Sequence, residues 1–352
     1  VFVGHNIFTP EEAENLLENN CGEFVALGRS QLADPHWTIK AETGKTDEIT
    51  PCINCLIGCL DRGLLNHTAI HCTVNPGLYK FEKETVNTTD PRSVAVVGAG
   101  PAGCEAALTA ANNGHKVTLY EKREFGGAMI EAAKPENKKN IRRLISYYKD
   151  HIEKHPNITF IKETADFDTI VAGHYDVCIS AIGGNPRHLN VQGIDNEMVI
   201  NAMDYLDDVK VNGKEVVVIG GGITGAETAL ELHGEGKKVT IIEMADQFLA
   251  QQSNACQAYN IAISQTDIKI KTGLRLLSVG DKEITLVDRF GNEQTMACDN
   301  VVIAAGFVSN DSLYERLYNE TDLQVFNVGD SKKVRQIFDA VHEGYVAAKL
   351  IR

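Results

Sequence analysis

The stretch Val94-Ala95-Val96-Val97-Gly98-Ala99-Gly100-Pro101-Ala102-Gly103 decides the fold. An apolar strand run breaks into three glycines spaced G-x-G-x-x-G, and the alanine-rich run Pro101–Asn113 then reads as a helix with proline at its first position. A second strand, Lys116–Tyr120, ends at Glu121. Gly98 permits the tight turn, Gly100 lets the backbone approach a pyrophosphate, and Gly103 allows the helix to pack close to the strand. The helix N-terminus offers unbonded N–H groups to phosphates. A carboxylate at Glu121, with Lys122 beside it, can accept from ribose hydroxyls. Three glycines alone would say little, because glycine turns are common. Set after a strand, before a helix and 18 residues ahead of an acid, they predict a dinucleotide site at Gly98, Ala99, Gly100, Pro101, Ala102, Glu121 and Lys122.

The same unit recurs 122 positions later. Gly220-Gly221-Gly222-Ile223-Thr224-Gly225 follows an apolar run, and Val239-Thr240-Ile241-Ile242 ends at Glu243. Candidate contacts there are Gly220, Gly222, Ile223, Thr224 and Glu243. A carboxylate at the ribose favours NADH, since a 2′-phosphate would be repelled and needs an arginine; Met244-Ala245-Asp246 supplies none. Around the two fingerprints the pattern alternates: a helix over about 137–154, strands at Ile158–Lys162 and Asp176–Ala181, and a closing helix over about 337–350. Such alternation predicts α/β architecture, with parallel sheets covered by helices on both faces.

Upstream, Val1–Gly4 reads as a buried strand. Thr9-Pro10-Glu11-Glu12 opens a helix with Thr at the N-cap, and Glu23–Leu27 is a second strand ending at Gly28-Arg29. With no Met or basic leader at Val1, the chain is expected to be cut from something longer. Residues 51–92 hold few apolar runs but four cysteines, Cys52, Cys55, Cys59 and Cys72, spaced C-x2-C-x3-C-x12-C. Three thiolates within eight residues can wrap one face of a cuboidal iron–sulfur cluster, the distal one closing the fourth corner. Zinc is the nearest alternative, but its sites usually present two C-x2-C pairs. A disulfide framework is not expected without a secretory signal. His67 and His71, inside this loop, are expected to be solvated rather than ligands. Cys21, Cys104, Cys178, Cys256 and Cys298 stand apart, so the close cysteine pair of a disulfide reductase is missing. The composition, 34 Lys+Arg against 48 Asp+Glu for a net charge of −14, with no basic stripe, argues against nucleic acid. No apolar run reaches the roughly 18 residues a membrane helix needs.

Taken together, these motifs resemble the two-dinucleotide flavoprotein reductases, in which FAD takes the first fingerprint and a nicotinamide cofactor the second. Gly126-Gly127 follows the Glu121 strand as in the flavin-contacting loop of that superfamily. Ala181-Ile182-Gly183 and Ala304-Ala305-Gly306 end apolar strands where the chain would cross between domains. Val325-Phe326-Asn327-Val328-Gly329-Asp330 precedes the last helix, and the resemblance gives Asp330 a flavin ribitol hydroxyl. It implies Gly127, Gly183, Gly306, Gly329 and Asp330 as further cofactor contacts.

The stretches Ala26-Leu27-Gly28-Arg29-Ser30-Gln31-Leu32-Ala33-Asp34-Pro35 and Pro51-Cys52-Ile53-Asn54-Cys55 resemble the end of the barrel in old-yellow-enzyme-like NADH:flavin oxidoreductases. These include 2,4-dienoyl-CoA reductase, 2-enoate reductase and the bile-acid NADH-dependent flavin oxidoreductases. The resemblance spans the whole chain in the family's order. It implies the end of a TIM barrel with an FMN site at Gly4, Gly28 and Arg29 (1–50) and a [4Fe–4S] segment (51–92). It places an FAD-binding domain at 93–200 and 306–352, and an NADH-binding domain at 201–305. Gly4-His5-Asn6 departs from the arginine or glycine many relatives carry after that glycine. The implied function is electron transfer from NADH through FAD and [4Fe–4S] to FMN, reducing an activated C=C bond of an enoate, dienoyl-CoA or steroid enone in the cytoplasm. Oligomerisation is left open, and no proton donor is nominated within the chain. The alternatives are an electron-input module of the glutamate synthase or dihydropyrimidine dehydrogenase type, and a non-catalytic FAD-binding fragment. The strands before Cys52 speak against the module.

Overall fold

A computed structural model describes residues 1–78 and 88–352; residues 79–87 of the expected cluster segment lie outside the described residues. The chain divides into two compact units, residues 1–184 with 309–352, and residues 185–308.

In the first unit, β1 (Phe2–Gly4) and β2 (Phe24–Ala26) pair in parallel around α1 (Pro10–Glu18). Thr9 caps α1 as expected. Its hydroxyl accepts from Glu12 N–H at 3.0 Å, and the Glu12 carboxylate accepts from Thr9 N–H at 3.2 Å. The strand at Val1–Gly4 is not buried. Phe2 is 75% exposed and stacks on Phe24 at 5.1 Å, because the face of this two-stranded sheet that carries them, opposite the half-buried Val3 and Val25, has no covering layer among the described residues. Helices α2 (Arg29–Ala33) and α3 (Trp37–Glu42) follow. The buried Asp34 carboxylate organises them, accepting from His36 N–H, Thr50 N–H and the Lys40 ammonium.

The cysteine segment is less loop-like than its sequence suggests. Ile57–Leu65 winds as a π-helix, a rare form frequently seen at functional sites. Cys52, Ile53 and Val74 are buried in the unit's main core with Phe8 and Ala33.

The nucleotide fold of this unit is a five-stranded parallel sheet. Its elements are β3 (Ser93–Val97), α4 (Pro101–Asn112), β4 (Lys116–Tyr120), α5 (Met129–Ala132), α6 (Lys139–Lys154), β5 (Ile158–Ile161), α7 (Phe167–Ala172) and β6 (Val177–Ser180). Strand β7 (Gly184–Pro186) then leaves the unit.

The second unit runs through β8 (Val199–Asn201), α8 (Ala202–Leu206), β9 (Glu215–Ile219), α9 (Ile223–Gly234), β10 (Lys238–Ile242), α10 (Asn254–Ser264) and β11 (Lys269–Lys271). It continues with β12 (Leu274–Val279), β13 (Glu283–Asp288), β14 (Glu293–Ala297) and β15 (Asn300–Ile303). After β16 (Phe307–Ser309) the chain returns through α11 (Ser312–Glu320), β17 (Gln324–Asn327) and α12 (Ile337–Lys349).

The two parallel sheets, β17-β6-β3-β4-β5 in the first unit and β8-β15-β9-β10-β11 in the second, share the order of four strands in chain sequence, while the outer strand beside the fourth comes last in the first unit (β17) and first in the second (β8). Their registers also repeat, with Ser93 opposite Lys116 and Glu215 opposite Lys238. Purely parallel strands are buried on both faces, hence the continuous apolar runs Val94-Ala95-Val96-Val97 in β3 and Val216-Val217-Val218-Ile219 in β9.

Two features depart from the sequence expectation. Residues 185–200 and 306–308, expected with the FAD-binding domain, belong to the second unit. Leu189, Val191, Ile194 and Met198 pack into its core, so the chain crosses at β7. Strands β12, β13 and β14 form an antiparallel sheet that the sequence reading did not separate from the α/β alternation.

Candidate functional site

Each fingerprint folds by the same backbone logic. Gly98 has φ +104° and Gly220 +117°, and a Cβ at either would lie 2.3 Å from a carbonyl oxygen, that of Ala181 or Ala304. A Cβ at Gly103 or Gly225 would fall 1.8 or 1.9 Å from the Gly98 or Gly220 oxygen. These four glycines therefore shape the turn and seat the helix. Gly100 and Gly222 differ: the nearest atom to a Cβ at Gly100 is Gly127 Cα at 3.9 Å, and nothing lies within 4 Å at Gly222. Their backbones are open to a ligand, each as N-cap of a twelve-residue helix, α4 or α9.

The acids fold back onto their own loops. Glu121, buried, accepts from Ala99 N–H and Arg123 N–H, both at 2.8 Å. Glu243 accepts from Gly221 N–H at 2.6 Å and Ala245 N–H at 2.7 Å. Each carboxylate oxygen keeps a second acceptor site for a ribose hydroxyl. Each acid thus has a loop-holding role that spacing alone did not show. The repeat extends to a residue not singled out in the sequence. Glu105 on α4 and Glu227 on α9, again 122 apart, accept from Tyr148 and Tyr259 hydroxyls on the following helices.

The first unit brings further expected contacts to its fingerprint. A Cβ at Gly127 (φ +54°) would lie 3.0 Å from Gly100 Cα, so two bare backbones face one another across a cradle that side chains would fill. Gly329 packs on the first turn of α4, its would-be Cβ 2.9 Å from that of Ala102. Asp330 accepts from Arg335 N–H at 3.0 Å, and burial pushes its carboxyl above the usual range. Gly183 takes φ +78° just beyond the Ala181 carbonyl that abuts Gly98. Lys122 is exposed beside Glu121, and Pro101 occupies the first position of α4. In the second unit, Ile223 and Thr224 open α9, and Gly306 takes φ +81° two residues past the Ala304 carbonyl abutting Gly220.

All four cysteines line one pocket, with Arg29, Gly58, Thr73 and Val74 among its walls. Its empty space is about 320 Å³, part of it open solvent. Four thiolates on a single ion would stand almost in contact with it, at about 2.3 Å. Among the described residues no three His, Cys, Asp or Glu side chains converge that closely. Burial raises the thiols, Cys52 to about 11 and Cys72 to about 12, with Cys55 raised too; neighbouring thiols add to it. Such a donor set ionises when a cationic group shares its charge.

The sequence did not single out Thr73, Asn54 or His342 beside this pocket. The Cys55 sulfur lies 3.1 Å from Thr73 Oγ1. The Arg29 guanidinium donates to Asn54 Oδ1 and Asn6 Oδ1, and both asparagines have positive φ. Gly4 ends β1 and Gly28 lies two residues past β2 as N-cap of α2, both exposed. His342 on α12 lies 2.9 Å by its Nε2 from the Cys72 carbonyl oxygen, and burial lowers its pKa. As a neutral imidazole it can donate that hydrogen bond. His71 is half-buried rather than solvated: its ring stands edge-on to Phe338 and His342, because Gly58 lets the His71 backbone approach the π-helix. His67 is exposed, as expected. Of the other cysteines, Cys104, Cys178, Cys256 and Cys298 are buried and Cys21 is exposed.

The family model for pyridine nucleotide-disulphide oxidoreductases matches residues 92–336. The chain is 33% identical to an NADH oxidase of Thermoanaerobacter brockii over 96% of its length, and 32% identical to a cinnamate reductase of Clostridium sporogenes over 97%. Among solved structures, a 2-naphthoyl-CoA reductase in complex with 2-naphthoyl-CoA superposes over 100% of this chain, with TM-score 0.90 and 29% identity. The chain covers 53%, 52% and 54% of those proteins, so it spans about half the length of the relatives it matches. The old-yellow-enzyme-like resemblance and the paired nucleotide folds are thereby borne out, and the chain belongs to the pyridine nucleotide-disulphide oxidoreductase family, oxidoreductases that bind FAD and NAD(P)H.

Proposed function

We propose that this chain is the electron-input half of an NADH-dependent iron–sulfur flavoprotein that reduces an activated C=C bond in a small molecule. The observation that carries this reading is the four-cysteine pocket lying in the same compact unit as the first fingerprint. The similarity to a cinnamate reductase and a 2-naphthoyl-CoA reductase supports a conjugated substrate: an enoate, an acyl-CoA of the dienoyl type or a steroid enone.

When bound, the cofactors supply the redox chemistry: hydride acceptance by FAD, a one-electron relay by [4Fe–4S], and C=C reduction at FMN. The chain's own residues hold and orient them. Gly98, Ala99, Gly100, Pro101, Ala102, Glu121 and Lys122 take FAD, with Gly127, Gly183, Gly329 and Asp330, and Gly306 of the second unit serves as a further cofactor contact. Gly220, Gly222, Ile223, Thr224 and Glu243 take NADH. Cys52, Cys55, Cys59 and Cys72 ligate the cluster, and Gly4, Gly28 and Arg29 contribute to an FMN phosphate site. Residues 1–50 serve as the end of an FMN barrel and 51–92 as the cluster segment. The FAD and NADH domains fill the rest. A reducing, cytoplasmic setting suits thiolates kept for iron rather than for disulfides.

Anaerobic purification with flavin, iron and acid-labile sulfide analysis tests this, together with NADH:ferricyanide turnover. Bound FAD, about four iron and four sulfide per chain, and ferricyanide reduction are expected. Stoichiometric zinc without sulfide would overturn the relay, and absence of both flavin and turnover would leave only an inert fragment.

A further inference from the structure

The sequence beyond Glu243 lacks an arginine, but the fold supplies one. Arg289 follows β13, 46 residues after Glu243, and its Nη1 lies 3.3 Å from Asp246 Oδ2. Three backbone links hold it near the ribose acid. Leu274 N–H donates to the Glu243 carbonyl at 3.0 Å, and Gly273 N–H to the Ala245 carbonyl at 2.9 Å. Leu274 is in turn the register partner of Asp288, the residue before Arg289. Paired strands lie about 4.8 Å apart, so Arg289 stands within a side chain's reach of the loop after β10. The turn itself is pinned. The Asp288 carboxylate accepts from Phe290 N–H and Asn292 N–H, and the Arg289 guanidinium sits 5.0 Å above the Phe290 ring.

We propose that Asp246 and Arg289 together set which nicotinamide dinucleotide the second fingerprint accepts. This rests on the reading of Gly220–Glu243 as a nucleotide site. A ribose 2′-phosphate is a dianion-like group that a guanidinium can grip with two parallel hydrogen bonds, and that a carboxylate repels. In this structure Asp246 engages the guanidinium and cancels its charge, while Glu243 remains to accept from the 2′- and 3′-hydroxyls of NADH. Removing the Asp246 charge frees Arg289 to turn toward a 2′-phosphate. The discrimination is thus held by a pair joining the loops after β10 and β13 rather than by the acid alone.

The test compares NADH and NADPH as reductants of ferricyanide by the full flavin-loaded chain, with dinucleotide binding measured by calorimetry. Wild type is expected to prefer NADH. Asp246→Asn should raise kcat/KM for NADPH relative to NADH about fivefold, the scale of an exposed charge contact, through KM rather than kcat. Asp246→Asn/Arg289→Met should lose that gain. Both side chains are exposed, so melting temperatures close to wild type should show that the variants fold. An equal gain in the double variant would overturn the proposal, as would no gain in Asp246→Asn. If neither dinucleotide binds wild type, the nucleotide-site reading itself falls.

Discussion

A Cβ at Gly103 would lie 1.8 Å from the Gly98 carbonyl oxygen, whereas one at Gly100 would find nothing nearer than 3.9 Å. The two positions should therefore fail differently. Gly103→Ala is expected to lower the melting temperature of the apo protein, with a cost of about 1–3 kcal/mol for forced backbone movement. Gly100→Ala should fold with an unchanged apo melting temperature and lose flavin affinity only. Thermal denaturation beside flavin absorbance separates the two. Asp330 gives a pH-dependent counterpart. Burial raises its carboxyl pKa, so the folded state holds this proton to higher pH than the unfolded chain. The buried charge thus costs stability above the folded pKa, and protonation relieves the cost as pH falls. Asp330→Asn should raise the apo melting temperature at pH 7, the gain shrinking toward pH 4, while weakening FAD binding. A gain independent of pH would contradict this origin.

At the scale of elements, α12 packs directly against α4. A Cβ at Gly344 would be 2.1 Å from the Ala102 carbonyl oxygen. Gly344 lets α12 lie on the fingerprint helix, and Phe338 and His342 then face the cysteine segment. Gly344→Ala should separate the two helices and lower both melting temperature and flavin content; calorimetry and flavin spectra check this. The π-helix depends on a similar approach, since a Cβ at Gly58 would meet the His71 carbonyl oxygen at 2.6 Å. Gly58→Ala is expected to displace the segment leading to Cys72 and reduce bound iron and sulfide, measured against flavin in the same sample. Period and capping made α1, α4, α6 and α9 legible before the fold was known, because their signals are local: Thr9 and Pro10, Pro101, and an apolar face at helical spacing. The π-helix was not legible. Its cysteine-rich, weakly periodic sequence is stabilised by contacts with Ile70, His71 and Phe338, far along the chain or outside its period.

Across the whole molecule, the cysteine pocket and the first fingerprint share one compact unit and one hydrophobic core, while the second fingerprint has its own cores. Cys59→Ser should therefore strip iron and sulfide while the chain still folds and retains FAD, because Cys59 is half-buried and lies outside the main core. Loss of flavin together with iron would show instead that the cluster holds the unit together.

The sequence by itself determined the two nucleotide folds, their glycines and acids, and the set of four cysteines. Those features rest on neighbours a few residues apart, where backbone sterics and strand–helix periodicity act directly. Only the tertiary structure decided what lies beside them. It turned Glu121 and Glu243 back onto their own loops, moved residues 185–200 into the second unit, set His342 on the Cys72 carbonyl and brought Arg289 to Asp246. Each of these depends on packing or strand register between segments far apart in the chain, and no local pattern records it.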